Sequence, residues 1–144
     1  MFYNFDTNAT YGLLPGVASK LSSYNNTLFN PSSIHSLGQN SRILIEESRE
    51  RLRAFLGAEK SSRIIYTSGA TEANNSAIFS PFTEYLKKYG PNERAKLTLI
   101  TTSVEHPSVL EACKKLDEYG FDVVYLDVDK NGYLNFERLV ETLN

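Results

Sequence analysis

Cysteine, methionine and tryptophan are scarce in this chain of 144 residues. It has one cysteine, Cys113, one methionine and no tryptophan. A lone cysteine cannot form a disulfide within its own chain, and few cysteines are typical of proteins in a reducing compartment. The sequence therefore predicts a cytoplasmic protein without internal disulfides.

Long apolar runs and an excess of basic charge are also absent. No stretch reaches the roughly 18 apolar residues of a transmembrane helix, and the first residues lack the basic and apolar regions of a signal peptide. Lysine and arginine number 15 against 17 acidic residues, a net charge of -2. Because nucleic acids and anionic membranes attract concentrated positive charge, we expect no nucleic-acid and no membrane partner.

The residues that are present suffice for a packed core. Hydrophobic residues make up 41% of the chain and aromatic residues 12%, which argues against disorder. The first 38 residues are rich in glycine, proline, asparagine and serine. These residues favour turns, so we expect a loop-rich segment with one short helix near residues 17–24.

From residue 39 onwards, apolar residues at helical spacing alternate with short β-branched runs. Gly57, Gly90 and Gly120 are placed to end helices, and Pro107 to begin one. Strands that alternate with helices indicate crossover units, so we predict an α/β fold with a mainly parallel sheet. The predicted elements are helix 39–56 with an apolar face at Ile45, Leu52, Phe55 and Leu56, strand 63–67, helix 71–88, strand 97–102, a helix from 107, strand 121–128 and helix 136–143.

Ligands of parallel sheets bind at the carboxyl ends of the strands. The first such end is residues 67–71, where a glycine precedes a helix and Ser68 and Thr71 supply hydroxyls. The unpaired N–H groups of a helix N-terminus attract anions, so this end is a candidate phosphate site. The alternative is that Ser68 and Thr71 only cap the helix, with Glu72 or Asn74 reciprocating.

The second strand end carries His106, one of two histidines in the chain. Pro107 restricts His106 to an extended backbone, so the ring is positioned before it makes any contact. An imidazole at this place could stack on a flat ligand or move a proton. The alternative is a histidine that caps the helix or is merely exposed. The two strand ends belong to neighbouring crossover units, and we expect them to converge on one pocket.

Four segments, in this order, resemble the cysteine desulfurases of the class V aminotransferase family. They are Asp6-Thr7-Asn8-Ala9-Thr10, residues 30–38 (NPSSIHSLG), residues 67–75 (TSGATEANN) and residues 105–110 (EHPSVL). The resemblance runs from about Tyr3 to the last residue. It implies the large domain of a fold-type-I enzyme that uses pyridoxal phosphate, with residues 1–38 as its N-terminal segment and 39–144 as its first part.

The resemblance also implies roles for individual residues. Ala70 and Thr71 would bind the cofactor phosphate, and His106 would lie over the pyridine ring and help proton transfers. Asn8, Ala9 and Thr10 would lie near the substrate pocket, and the loop 30–38, with Asn30 and His35, would shape the active-site entrance.

Members of the family typically form homodimers that move sulfur from L-cysteine onto an enzyme cysteine, leave L-alanine, and supply iron–sulfur cluster assembly through sulfur-acceptor proteins. The resemblance leaves two alternatives open for this chain. One is a related lyase or aminotransferase acting on another amino acid, and the other is a catalytically dead interaction module.

The family's cofactor lysine follows a histidine, and no such pair occurs in this sequence. The eight lysines stand elsewhere, at 20, 60, 87, 88, 96, 114, 115 and 130. Cys113 is predicted to be a buried structural residue and not the sulfur-accepting nucleophile. We therefore expect the chain to be an N-terminal portion that is inactive alone and pairs with a complementing C-terminal portion or a second copy.

A competing motif at residues 127–138 imitates the calcium loop of an EF-hand. Oxygen donors stand at the first, third, fifth and ninth positions and glycine at the sixth. Two features oppose calcium binding: the twelfth position is Arg138 where the bidentate glutamate belongs, and the preceding residues predict a strand where an EF-hand has a helix. A turn between a strand and a helix is the preferred interpretation, and no metal site is predicted.

Overall fold

The computed structural model describes residues 3, 5–7, 9–92 and 97–143. The chain forms two compact units, Met1–Ile65 and Tyr66–Asn144. The first contains helices α1 (Pro15–Ser23) and α2 (Ser36–Phe55), and the second contains α3 (Ala70–Tyr89), β1 (Thr98–Thr102), α4 (Pro107–Glu118), β2 (Asp122–Leu126) and α5 (Phe136–Leu143). The predicted division into an N-terminal segment 1–38 and a domain part 39–144 stays a prediction, because two compact units do not show where the family's domains begin.

The first unit is organised around the start of α2. Ser41 is buried there, and its hydroxyl accepts a hydrogen bond from the Phe29 N–H at 2.8 Å. The helix ends as predicted, with Gly57 at a φ of 62° that favours glycine. Its predicted apolar face is not a core face, however, because the side chains of Phe55 and Leu56 are 85% and 64% exposed.

The strand predicted over residues 63–67 is wrong. The described residues form one sheet of two strands, and this run belongs to neither. Two carbonyl groups next to or within it accept side-chain hydrogen bonds from α2: Arg49 donates to the Ile64 carbonyl, and Arg53 Nε donates to the Ser62 carbonyl at 3.1 Å. A β-branched run favours extended backbone, but a strand also needs a neighbouring strand to pair with.

The second unit contains a β–α–β crossover. Strands β1 and β2 pair in parallel, in a register that runs from Thr98 opposite Asp122 to Thr102 opposite Leu126. Helix α4 connects them and packs against α3 and β2. Parallel neighbours require such a crossover, and the predicted α/β class with a parallel sheet is confirmed.

The core of the second unit joins α3, α4 and the start of β2. Phe82, Leu116 and Phe121 are each at most 4% exposed, and the rings of Phe82 and Phe121 meet edge to face with centroids 4.7 Å apart. Cys113 is fully buried beside this core, and burial raises the pKa of its thiol. The predicted structural role of Cys113 is confirmed, because a buried, protonated thiol is a poor nucleophile.

The loop before α5 is a turn and not an EF-hand. Strand β2 precedes it where an EF-hand requires a helix, and Val128 pairs with Leu134 in an isolated antiparallel bridge. The Asp129 carboxylate accepts the N–H groups of Tyr133 and Asn131 at 2.9 and 2.8 Å, which lowers its pKa. The preferred interpretation is confirmed, since the carboxylate stabilises the turn itself.

The described residues contain neither a membrane-spanning helix nor a metal-binding cluster. Over residues 9–92 and 97–143, no helix is both long and apolar enough to cross a membrane. Within the same described ranges, no three histidine, cysteine, aspartate or glutamate side chains are grouped so that they could hold a metal ion.

Gly38 should tolerate no side chain. A Cβ at this position would lie 2.7 Å from the Asn30 carbonyl oxygen and 2.7 Å from the Ser33 Cβ. Gly38→Ala should therefore lower the free energy of unfolding by about 1–3 kcal/mol, as overpacking does. Urea denaturation followed by circular dichroism measures the change.

Gly16→Ala is the matched control, because no atom lies within 4 Å of a Cβ there. Gly16 lies in helix α1 of the same unit, so alanine should be neutral or stabilise by about 0.5–1 kcal/mol. Equal unfolding energies for the two variants would contradict the close packing at Gly38.

Candidate functional site

The site begins at the N-terminus of α3. The first hydrogen bond of this helix runs from the Ala73 N–H to the Gly69 carbonyl, so the N–H groups of Ala70, Thr71 and Glu72 precede the helix's own hydrogen bonds. No side chain caps the helix at Gly69. The first turn therefore presents backbone donors and the positive end of the helix dipole, the combination that binds anions.

Ser68 and Glu72 close the turn that leads into α3. The Glu72 carboxylate accepts from the Ser68 N–H at 2.7 Å and from the Ser68 hydroxyl at 2.6 Å. These bonds, the hydroxyl bond first, lower the pKa of Glu72. The predicted interaction of Glu72 with Ser68 is thus present. However, Glu72 binds the N–H of Ser68, which precedes the helix, so the N–H groups in the first turn of α3 have no side-chain cap.

Gly69 does not need the conformational freedom of glycine. Its φ of 169° is extended backbone that any residue adopts, and no atom lies within 4 Å of a Cβ placed there. No strand leads into Gly69 in the described part of the chain, and the turn before α3 is held by Glu72.

His106 caps helix α4. Its Nδ1 accepts from the Ser108 N–H at 3.1 Å and lies 2.9 Å from the Ser108 hydroxyl oxygen. Pro107 occupies the first helical position, and the His106 backbone is extended, with φ -60° and ψ 145°. The capping interpretation is confirmed, and it does not exclude a binding role, because only one of the two ring nitrogens is engaged by the cap.

A hydrogen bond connects the first turns of the two helices. Asn74 of α3 donates through Nδ2 to the Ser108 hydroxyl oxygen of α4 at 2.9 Å. Both side chains are partly buried. The same Ser108 hydroxyl contacts His106, so the two predicted strand-end sites are joined by three polar side chains.

One open cavity of about 530 Å³ lies between these helix starts. It brings together Thr71 and His106, the two side chains that the sequence singled out at different strand ends. Ala70 precedes Thr71 but does not line the cavity. The lining residues are Thr71, Asn75, Phe79, His106, Pro107, Ser108, Glu111, Ala112 and Lys115.

Among the lysines of the described residues, Lys115 lines this cavity. Its ammonium donates to Glu118 at 2.6 Å, and this carboxylate raises the pKa of Lys115. An ammonium held in the charged form is a poor nucleophile, so Lys115 supplies positive charge and not a reactive amine.

The remaining predicted site residues belong to the first unit, and their substrate-pocket roles stay predictions. Asn8 lies outside the described residues. The N–H groups of Ala9 and Thr10 donate to the Asp6 carbonyl at 3.1 and 3.2 Å. Asn30 accepts from the Ser32 N–H at 2.9 Å, and His35 caps α2 by accepting from the Gly38 N–H at 3.3 Å.

Sequence reasoning missed how Asn74 and Ser108 act together. The sequence indicates Asn74 only as a partner for the cap of α3, and Ser108 only as part of the segment 105–110. A polar residue near the start of each of two neighbouring helices is the signal that could have found them, since such positions meet when the two helices run in the same direction.

The family follows from a comparison with known proteins. The model of the aminotransferase class-V family matches residues 3–144, so the chain belongs to this family. Over 114 residues the chain is 43% identical to a cysteine desulfurase, IscS, of Dictyoglomus turgidum, and the match covers 79% of the chain and 27% of that protein.

Solved structures show the same relationship. A NifS-like protein superimposes with a TM-score of 0.82 at 34% identity, over 95% of this chain and 36% of the other. SspA, solved in complex with cysteine, superimposes with a TM-score of 0.82 at 32% identity, and the match covers 97% of this chain and 38% of SspA. The chain therefore spans about a third of the length of the proteins it matches.

The Ser68–Glu72 contact should stabilise the fold in a pH-dependent way. Folding lowers the pKa of Glu72 below its ordinary 4.5. The stabilisation is therefore fully present above pH 4.5 and is lost as the pH falls through the lower, folded value. The wild type should exceed Glu72→Gln in urea midpoint at about pH 7, and the difference should shrink as the pH falls below 4.5.

Glu137→Gln controls for the helix dipole, because Glu137 lies in the first turn of α5 as Glu72 lies in that of α3. Its effect should be smaller than that of Glu72→Gln at neutral pH. A Glu72→Gln difference that persists unchanged at low pH would contradict the assignment of the stabilisation to the ionised carboxylate.

Proposed function

We propose that this chain forms the phosphate-binding and ring-stacking part of a pyridoxal-phosphate-dependent cysteine desulfurase. The observation that carries the proposal is the cavity shared by Thr71 and His106. A phosphate needs convergent N–H and hydroxyl donors, which the uncapped start of α3 and Thr71 supply. A planar pyridine ring needs a flat neighbour, which His106 supplies at the same cavity.

Each residue then has a defined task. The N–H groups of Ala70 and Thr71 and the Thr71 hydroxyl donate to the phosphate, and the His106 ring lies against the pyridine. Lys115 and Glu111 both line the cavity and Lys115 is paired with Glu118, so the donors of α3, and not the wall charge, hold the phosphate. When bound, pyridoxal phosphate acts as an electron sink for bond cleavage in an amino acid.

L-Cysteine is the proposed substrate. The names of relatives that are cysteine desulfurases, and the cysteine bound in the solved neighbour, support this choice over another amino acid. The products would be L-alanine and sulfur carried on an enzyme cysteine. That cysteine is not Cys113, which is fully buried.

The cellular setting is also part of the proposal. We expect a cytoplasmic enzyme that works as a homodimer or with a complementing C-terminal portion, and passes its sulfur to an acceptor protein for iron–sulfur cluster assembly. The coverage of about a third of each relative supports a need for further residues.

Binding of 4-deoxypyridoxine 5′-phosphate tests the phosphate site. This analogue lacks the aldehyde, so it cannot react with lysines, and quenching of tyrosine fluorescence can follow its binding. Thr71→Val should weaken binding about tenfold, as expected for a lost hydrogen bond to a charged group. His106→Ala should weaken binding through the loss of stacking.

Thr83→Val is the matched control. Thr83 lies on the same helix, and its hydroxyl donates to the Phe79 carbonyl at 2.9 Å. This variant should bind like the wild type. Equal affinity for deoxypyridoxine without the phosphate, or no binding by the wild type, would contradict the proposed phosphate site.

The chain alone should be inactive. With pyridoxal phosphate and L-cysteine it should form no L-alanine or sulfide above the background of a protein-free mixture, because no lysine stands in the family's histidine–lysine context. Chromatography of alanine and a colorimetric sulfide assay measure the products. The full-length Dictyoglomus relative is the positive control, and turnover by this chain alone would overturn the prediction.

A further inference from the structure

The two nitrogens of the His106 ring have different surroundings. Nδ1 accepts the Ser108 backbone N–H at 3.1 Å, so it carries a lone pair and no proton in the neutral ring. The proton of the neutral imidazole must then be on Nε2. The cap of α4 therefore selects one tautomer of His106.

The Ser108 hydroxyl strengthens this selection. Its oxygen lies 2.9 Å from His106 Nδ1 and accepts from Asn74 Nδ2 at 2.9 Å. An amide nitrogen can only donate, so Asn74 occupies one of the two acceptor positions of the hydroxyl. Because Nδ1 already accepts the Ser108 N–H and carries no proton, the hydroxyl donates its own proton to Nδ1. The chain of donors thus has one direction, from Asn74 through Ser108 to His106.

We propose that Ser108 and Asn74 are positioning residues that hold neutral His106 as the Nε2–H tautomer. The ring nitrogen that is not used by the cap then presents a hydrogen-bond donor. The significance of this donor for catalysis rests on the proposed function, but the tautomer itself rests only on the geometry.

The inference limits what His106 can do. A neutral ring with its proton on Nε2 accepts a further proton only at Nδ1, and there the proton would displace the N–H and hydroxyl of Ser108. Neutral His106 can therefore donate a hydrogen bond through Nε2 but cannot act as a base through that nitrogen. Of the two roles that the sequence allows for His106, stacking is compatible with this tautomer, and accepting a proton through Nε2 is not.

His35 offers an internal comparison. It also caps a helix through Nδ1, accepting from the Gly38 N–H at the longer distance of 3.3 Å. Only for His106 do the described residues show a second contact of Nδ1, with the Ser108 hydroxyl. This hydroxyl also accepts from Asn74 of helix α3, and we call the two contacts the relay. Both histidines should favour Nε2–H, and only His106 should respond to changes at Asn74.

Nitrogen NMR of the histidine rings tests the proposal. The whole 144-residue chain is labelled with ¹⁵N-histidine, and multiple-bond correlation spectra are recorded at about pH 9, where histidine is ordinarily neutral. His35→Asn identifies the two sets of signals, because asparagine keeps the cap of α2. His106 should show a protonated Nε2 and an unprotonated Nδ1.

Variants then test the relay. Ser108→Ala should raise the ratio of Nδ1–H to Nε2–H in His106 about fivefold, the effect of one lost hydrogen bond. Ser108→Thr, which keeps the hydroxyl, should restore the wild-type ratio. Asn74→Ala should change the ratio in the same direction without removing any contact to the ring, and should leave His35 unchanged.

Several outcomes would overturn the proposal. One is a wild-type His106 that carries its proton on Nδ1, a result that needs no variant. Another is a ratio unchanged in both Ser108→Ala and Asn74→Ala when their circular dichroism matches the wild type. Because no cofactor is present, failure of analogue binding would refute the proposed function and leave the tautomer result standing.

Discussion

The hydrogen bond from Asn74 to Ser108 determines where the site forms. It joins the first turns of α3 and α4, while Phe82 and Leu116 pack further along the same two helices. The helices therefore start at one edge and run in the same direction. The two N-termini therefore lie at the same end of the α3–α4 pair, and an anion bound at that end would meet the positive ends of both helix dipoles.

The two helix starts differ in what they offer to a ligand. Helix α3 is uncapped and presents its N–H groups, whereas α4 is capped by His106 and presents a ring. A ligand with an anionic end and a flat end matches this arrangement better than a simple phosphate does. Lys115 adds a charge at the cavity wall without adding a nucleophile.

Much apolar surface is exposed in both units. Phe55 and Ile65 are 85% and 76% exposed in the first, and Phe136 and Leu143 are 72% and 67% exposed in the second. Apolar patches of this kind usually mark contact surfaces. They are consistent with the proposed second copy or complementing portion, since the chain spans about a third of its relatives' length.

Local signals in the sequence were enough to predict α3, α4 and β1. Gly90 ends α3 and Pro107 begins α4, because the backbone preferences of glycine and proline favour a helix end and a helix start. Thr71 and His106 do line one cavity, but the prediction that they meet assumed two strand ends, and only the one before His106 exists in the described residues. The run 63–67 was mistaken for a strand because pairing depends on a neighbour that composition does not reveal. The Asn74–Ser108 bond depends on the rotation of two packed helices, which periodicity does not determine.

The central claim is that Thr71 and His106 belong to one binding site. Titration of the ¹⁵N-labelled chain with 4-deoxypyridoxine 5′-phosphate tests it most directly, by following the backbone amides of Ala70 and Thr71 and the ring of His106 together. The account predicts that all three signals shift with one dissociation constant. Shifts at only one helix, or two different constants, would contradict it.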